Sequence, residues 1–113
     1  MKISVKEFPE KVKAIRDTDV YSVHDLSYLE NLNVSMTVLH PDKSTSGHKH
    51  EKEEEVYFFV SGRGEMQLDQ ETFSVKEGDV ILIKGNRFHR VFNRDNEDLI
   101  FLCVFQKYEG RGK

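Results

Sequence analysis

The sequence predicts an all-β fold, a sandwich or barrel, on three observations. Apolar, β-branched and aromatic runs recur, as in Val56–Val60, Val80–Ile83 and Leu99–Phe105. Clusters of Gly, Asn, Asp and Ser separate such runs about every 8–12 residues, the spacing of short strands joined by turns. Between them, Met66 with Leu68 and Phe73 with Val75 alternate apolar and polar, the period of a half-buried strand.

The 113 residues suit one domain. Hydrophobic residues at 37% and charged residues at 33% fit a globular chain. No apolar run approaches the ~20 residues of a spanning helix, so no membrane partner is expected. Lys and Arg total 17 against 20 Asp and Glu, a net charge of −3, which argues against nucleic acid, whose phosphates need a basic surface. Met1 to Lys6 lacks the apolar stretch of a secretory leader, and a cytoplasmic location is expected. Cys103 is the one cysteine, which excludes an intrachain disulfide and a Cys-rich zinc site.

In chain order, Pro9 fits the first turn of a short N-terminal helix, with Val12 and Ile15 as its apolar stripe. Residues 17–32 read as irregular, rich in turn and cap chemistry such as Asp17-Thr18-Asp19 and His24-Asp25. From Asn33 the pattern becomes strand-like, Val34, Met36 and Val38 alternating with Ser35, Thr37 and Leu39, with Met36 and Val38 as core or cavity wall. Pro41-Asp42 and Ser44 to Gly47 form a loop. Strands follow at Val56–Val60, Met66–Leu68, Phe73–Val75, Val80–Ile83, Val91–Phe92 and Leu99–Phe105, each closed by a turn cluster. Tyr108 to Lys113 reads as a loose tail.

Three histidines carry the chemistry. His48 and His50 are two apart, which on an extended strand turns both imidazoles to one face. An acidic loop, Glu51 to Glu55 interrupted by Lys52, then leads into the Val56 strand. His89 opens a later strand after a glycine turn. Three imidazoles and one carboxylate converging in a cavity make a divalent metal site. On these residues alone, a solvated His-x-His turn is the competing reading, and which glutamate would join the histidines stays open.

Two longer motifs resemble the cupin superfamily. The first family motif runs Gly, five residues, His-x-His, three or four residues, Glu, six residues, Gly. Here it is matched by His48, His50, Glu55 and Gly62, with Asp42 in place of the leading glycine. The second is Gly, five residues, Pro-x-Gly, two residues, His, three residues, Asn. It is matched by Gly78, His89 and Asn93, with Lys84-Gly85-Asn86 at the Pro-x-Gly, Lys84 replacing the proline and Asn86 the second glycine. Asn tolerates a left-handed backbone, so that turn can keep its shape.

The resemblance implies a double-stranded β-helix, or jelly-roll barrel, with a short N-terminal helical segment. It implies one cupin domain over 1–113, with a barrel core over about 33–106, an extension over 1–32 and a tail over 107–113. It implies His48, His50, Glu55 and His89 as ligands of a divalent transition metal: Mn, Fe, Co, Ni or Zn. Glu51, Glu53 and Glu54 are then a solvated rim.

Tyr57 shares a strand face with Glu55 and reads as a catalytic candidate or as a core aromatic. Cys103 reads as a buried, inert thiol. His24 reads as structural and His40 as a surface imidazole. Arg63, Arg87 and Arg90 are each candidates for an anionic substrate group. The expected activity is isomerase or epimerase-type proton transfer on a small carbohydrate-like substrate. Alternatives are an Fe(II)-dependent dioxygenase and a non-catalytic ligand-binding or sensing module. Three strands are apolar on both faces, which predicts a homodimer on the outer faces of the 56–60 and 99–105 strands.

Overall fold

The computed structural model describes residues 1–108. Nine strands occur among them: β1 (Ala14–Asp17), β2 (Tyr21–Leu26), β3 (Leu32–Leu39), β4 (Glu55–Ser61), β5 (Arg63–Leu68), β6 (Glu71–Lys76), β7 (Val80–Ile83), β8 (His89–Phe92) and β9 (Leu99–Gln106). They form a six-stranded sheet ordered β1-β2-β3-β9-β4-β7 and a three-stranded sheet ordered β6-β5-β8. Every neighbouring pair is antiparallel. This is the expected double-stranded β-helix. No helix among the described residues is long and apolar enough to cross a membrane.

Strand parity builds the interior. Glu55, Tyr57 and Phe59 of β4 face in, as do Leu99, Phe101, Cys103 and Phe105 of β9. Met66, Val75, Ile83 and Val91 join them from both sheets to make one apolar cluster. Tyr57 stacks on Phe101 with ring centres 5.3 Å apart. Asn93 is buried at the barrel's edge, and its Nδ2 donates to the carbonyls of Leu39, His40 and Glu97 at 3.0, 3.2 and 2.8 Å. One amide thus satisfies three loop carbonyls that burial would otherwise leave without water.

The turns explain the motif departures. Asp42 and Asn86 both have φ of 64°, the left-handed region, so these are positions where the family's glycine would relax the backbone. At Gly62 the φ is +88° and a Cβ would stand 2.6 Å from the carbonyl oxygen of Asp98, so only glycine fits without a shift.

The first 39 residues differ from expectation in three ways. The helix α1 covers only Phe8–Lys11, after a 3₁₀ turn over Val5–Glu7, and Ile15 lies on β1. Four helical residues cannot stand alone, and burial of Phe8 anchors them. Residues 17–32 are not wholly irregular, because Tyr21–Leu26 pairs along its length with β3. Polar residues in β2 obscure that strand in the sequence. His24 among them is structural as expected: it is buried, with Nδ1 2.6 Å from the Val12 carbonyl oxygen. Met36 is fully buried, yet it lies on the face opposite the cavity, which Ser35 and Thr37 line instead. The cavity wall of β3 is polar, so reading apolar as inward inverts its parity.

On the outer face of the large sheet, cross-strand register lines up two apolar rows. Val34, Val104, Val56 and Leu82 form one row, and Met36, Leu102, Phe58 and Val80 the other. Exposure rises toward the β7 edge, with Phe58 at 43% and Leu82 at 73%.

Candidate metal centre

Each member of the histidine and glutamate cluster is held by a different local device. Glu55 opens β4 between β9 and β7, paired in register with Phe105 and Ile83. Its side chain is therefore buried among apolar neighbours. His48 reaches β8 through an isolated bridge to His89, with the two backbone N–H···O bonds at 3.1 and 3.0 Å. That bridge fixes two imidazoles distant in sequence on one rung. His50 follows two residues later, its ring 4.8 Å from that of His48.

The four side chains converge. One ligand atom from each of His48, His50, Glu55 and His89 lies within 4.8 Å of all the others. Glu55 Oε1 is 3.1 Å from His89 Nε2, 3.7 Å from His50 Nε2 and 4.0 Å from His48 Nε2. His48 and His89 approach through their Nε2 atoms at 3.0 Å. Two ligand atoms each about 2.1 Å from one ion stand about 3 Å apart at right angles, a spacing that the Glu55–His89 and His48–His89 pairs have and the wider pairs would have to close to reach.

Two further observations fit a cation. Glu55 Oε1 is buried without a hydrogen-bond partner, a cost that an ion would remove. His89 Nδ1 lies 3.0 Å from the Arg87 carbonyl oxygen, which can only accept. That contact puts the ring proton on Nδ1 and leaves the Nε2 lone pair facing the cluster. The cluster can hold a metal, and its mixed imidazole and carboxylate donors suit several divalent transition ions.

His48 is exposed while Glu55 and His89 are buried, so the cluster opens on one side. It opens into a cavity of about 380 Å³. Tyr57 lines this cavity, with its ring edge-on to His89 at 5.6 Å. Cys103 is buried as expected, but it also lines the cavity.

None of the three arginines singled out from sequence lines the cavity. Arg63 pairs with Asp95 at 3.1 Å, Arg87 with Asp69, and Arg90 donates to the Thr45 carbonyl at 2.6 Å. His40 sits near the surface, 3.2 Å from Asp98 Oδ1. The cavity residues that sequence reading missed include Arg16, Ser35, Thr37 and Tyr108. Alternation over 33–39 was the available signal for Ser35 and Thr37. Arg16 had none, because its place depends on the β1–β2 pairing. Tyr108, assigned to the loose tail, packs its ring 4.3 Å from that of His50. The tail beyond it lies outside the described residues.

Residues 35–105 match the family model of the cupin domain. The chain is 34% identical over 116 aligned positions to glucose-6-phosphate isomerase of Pyrococcus furiosus, covering 88% of this chain and 59% of that protein. It is 36% identical over 66 positions to an oxalate-binding protein of Thermotoga maritima, covering 58% and 54%. A Klebsiella pneumoniae protein with a double-stranded β-helix domain superposes with a TM-score of 0.79 at 20% identity, covering 99% of this chain and 92% of that one. The chain spans about half the length of the first curated relatives it matches, at 45%, 53% and 54%. With its barrel, its motif turns and its histidine and glutamate cluster in the places that family model covers, the chain belongs to the cupin family.

Proposed function

We propose that the chain is a metal-dependent enzyme of the cytoplasm that moves a proton on a small carbohydrate-like substrate, in isomerase or epimerase fashion. The observation that carries this reading is the partnerless Glu55 Oε1 among three imidazoles, at the head of a cavity of about 380 Å³. Its roles for the chain's residues are as follows. His48, His50, Glu55 and His89 hold the ion, with His89 oriented by the Arg87 carbonyl. A bound divalent ion would supply Lewis acidity toward a hydroxyl or carbonyl oxygen of the substrate. Ser35 and Thr37 present hydroxyls along one wall, and Phe101 and Phe105 keep the remainder apolar. Tyr57 is the acid–base candidate, since it shares its strand face with Glu55 and borders the same space.

Incubation with sugar phosphates and nucleotide sugars in heavy water tests this without a guess at the product. Deuterium should enter at least one compound, and only in metal-loaded protein. Similarity to an oxalate-binding protein favours a second reading, a non-catalytic binding module. That reading takes over if no compound exchanges and no oxygen is consumed. Oxygen uptake with iron bound would instead make the chain a dioxygenase.

A homodimer is the second part of the proposal. Its support is the pair of apolar rows on the outer face of β3, β9, β4 and β7, left half-exposed in one chain.

A further inference from the structure

The members of the histidine and glutamate cluster are not held alike. His48 and His89 share a rung of paired backbone, and Glu55 opens a strand paired on both sides. His50 stands outside any strand, on the loop that leads to Glu55. Its main chain is fixed by the Asn86 N–H, which donates to the His50 carbonyl oxygen at 2.5 Å. A fixed backbone still leaves the side-chain torsions of an imidazole to be set.

The Tyr108 ring lies against that imidazole. Its centre is 4.3 Å from the centre of His50, closer than the His48 and His89 rings at 4.8 and 6.1 Å. Several contacts fix Tyr108 just beyond β9. One residue earlier, the Lys107 N–H donates to the Asn31 carbonyl at 3.0 Å, and Lys107 Nζ reaches the Ser27 carbonyl at 3.5 Å. The Tyr108 ring also packs on buried Phe105, with centres 5.8 Å apart. At the last residue of β9, Gln106 Oε1 accepts from the Glu54 N–H at 2.9 Å. The exit of β9 therefore grips the 50–54 loop twice, on the main chain at Glu54 and on the ring of His50.

We infer that Tyr108 is a positioning residue of the metal centre, its ring holding the His50 imidazole with Nε2 toward Glu55 Oε1, 3.7 Å away. An imidazole already confined by packing loses less rotamer freedom when it takes an ion. The contact is ring to ring, so the role needs the flat aromatic face and not the hydroxyl. Tyr108 lies outside residues 35–105, so the family model does not supply it. The inference rests on the reading of the cluster as a metal site.

Titration of the chelator-stripped full chain with Co(II) tests it, read by competition with a chromophoric chelator and by the visible absorption of the bound ion. Outer-shell partners of metal sites are worth roughly 10–100-fold in affinity, and Tyr108→Ala should bind Co(II) about tenfold more weakly. Its visible absorption should also change, because a loosened His50 alters the ligand field. Tyr108→Phe should match the unaltered chain in both readouts. In the unaltered, metal-free chain, nuclear Overhauser contacts between the Tyr108 and His50 ring protons should already be present. That measurement decides the matter if Tyr108→Ala fails to fold.

Unchanged Co(II) affinity in a folded Tyr108→Ala variant would overturn the inference and leave the metal site standing. Weaker binding with unchanged absorption would overturn it too, as a general loosening at the end of β9. So would an equal loss in Tyr108→Phe, which would move the role to the hydroxyl, or the absence of the ring contact in the unaltered, metal-free chain. No uptake of Co(II) by the unaltered chain would sink the metal reading itself and this inference with it.

Discussion

Glu55 Oε1 and the imidazole nitrogens around it set the first expectation at the scale of single residues. Removing a ligand itself should cost more than the roughly 10–100-fold lost with outer-shell partners of metal sites. Glu55→Ala and His50→Ala should therefore lose most bound metal in elemental analysis, with an unchanged β-type circular dichroism spectrum. Normal metal in both variants would remove the assignment. A second expectation concerns Asp69. The Phe88 N–H at 2.9 Å, and then the Arg87 guanidinium, hold its carboxyl below the ordinary aspartate value. The contribution to stability is therefore complete above about pH 4, the unfolded value, and is lost as pH falls through the lower folded one. Asp69→Asn should lower the urea midpoint at pH 7, and the gap to wild type should narrow as pH falls below about 4. A gap that stays constant there would contradict it. The His48 and His50 pair was legible in sequence because its spacing is local, whereas Glu55 and His89 joined it only through the longer motifs. Arg16 was not, since nothing in Ile15-Arg16-Asp17 tells which way the strand faces.

Elements show the same division. The strands from β4 to β9 could be read because tight turns and apolar alternation mark both their ends. Strand β2 could not, because Ser22, His24 and Asp25 mask its period and only pairing with β3 reveals it. The N-terminal helix was read too long, since Val12 and Ile15 are three apart on a strand approach as well as on a helix. What holds α1 in place is Phe8, 2% exposed and outside the main apolar cluster. Phe8→Ala should cost about 3 kcal/mol in urea unfolding, within the usual range for a buried aromatic. A loss under about 1 kcal/mol would mean the segment is not docked in solution.

At the scale of the molecule, the two outer rows are the feature one chain leaves incomplete. Phe58, Val80 and Leu82 are 43%, 52% and 73% exposed and lie on adjacent strands, so their patch is continuous. The expected particle in light scattering at about 1 mg/mL is a dimer, at a concentration where a standard-size interface persists. Phe58→Asp should give monomer, because the side chain is accessible and the barrel interior does not use it. Leu102→Asp, on the same row but less exposed, should give monomer or insoluble protein. A monodisperse monomer of the unaltered chain would refute the dimer. The double-faced apolarity behind this expectation was visible in sequence. Which residues the N-terminal segment covers was not, because the place of Phe8 is fixed by tertiary packing.

The placement of β1 has a consequence for descent with modification. The metal-site residues sit on the loop and strands between His48 and His89, while Arg16 stands on a hairpin that precedes the matched family region. Within that hairpin Ile15 and Asp17 are exposed, whereas Val23 and His24 are buried and Tyr21 packs against the inner apolar cluster, so only its exposed positions can change without a stability penalty. Exchanging residues 14–26 between relatives would therefore alter a wall of the cavity, through Tyr21 and Val23, together with the edge of the large sheet.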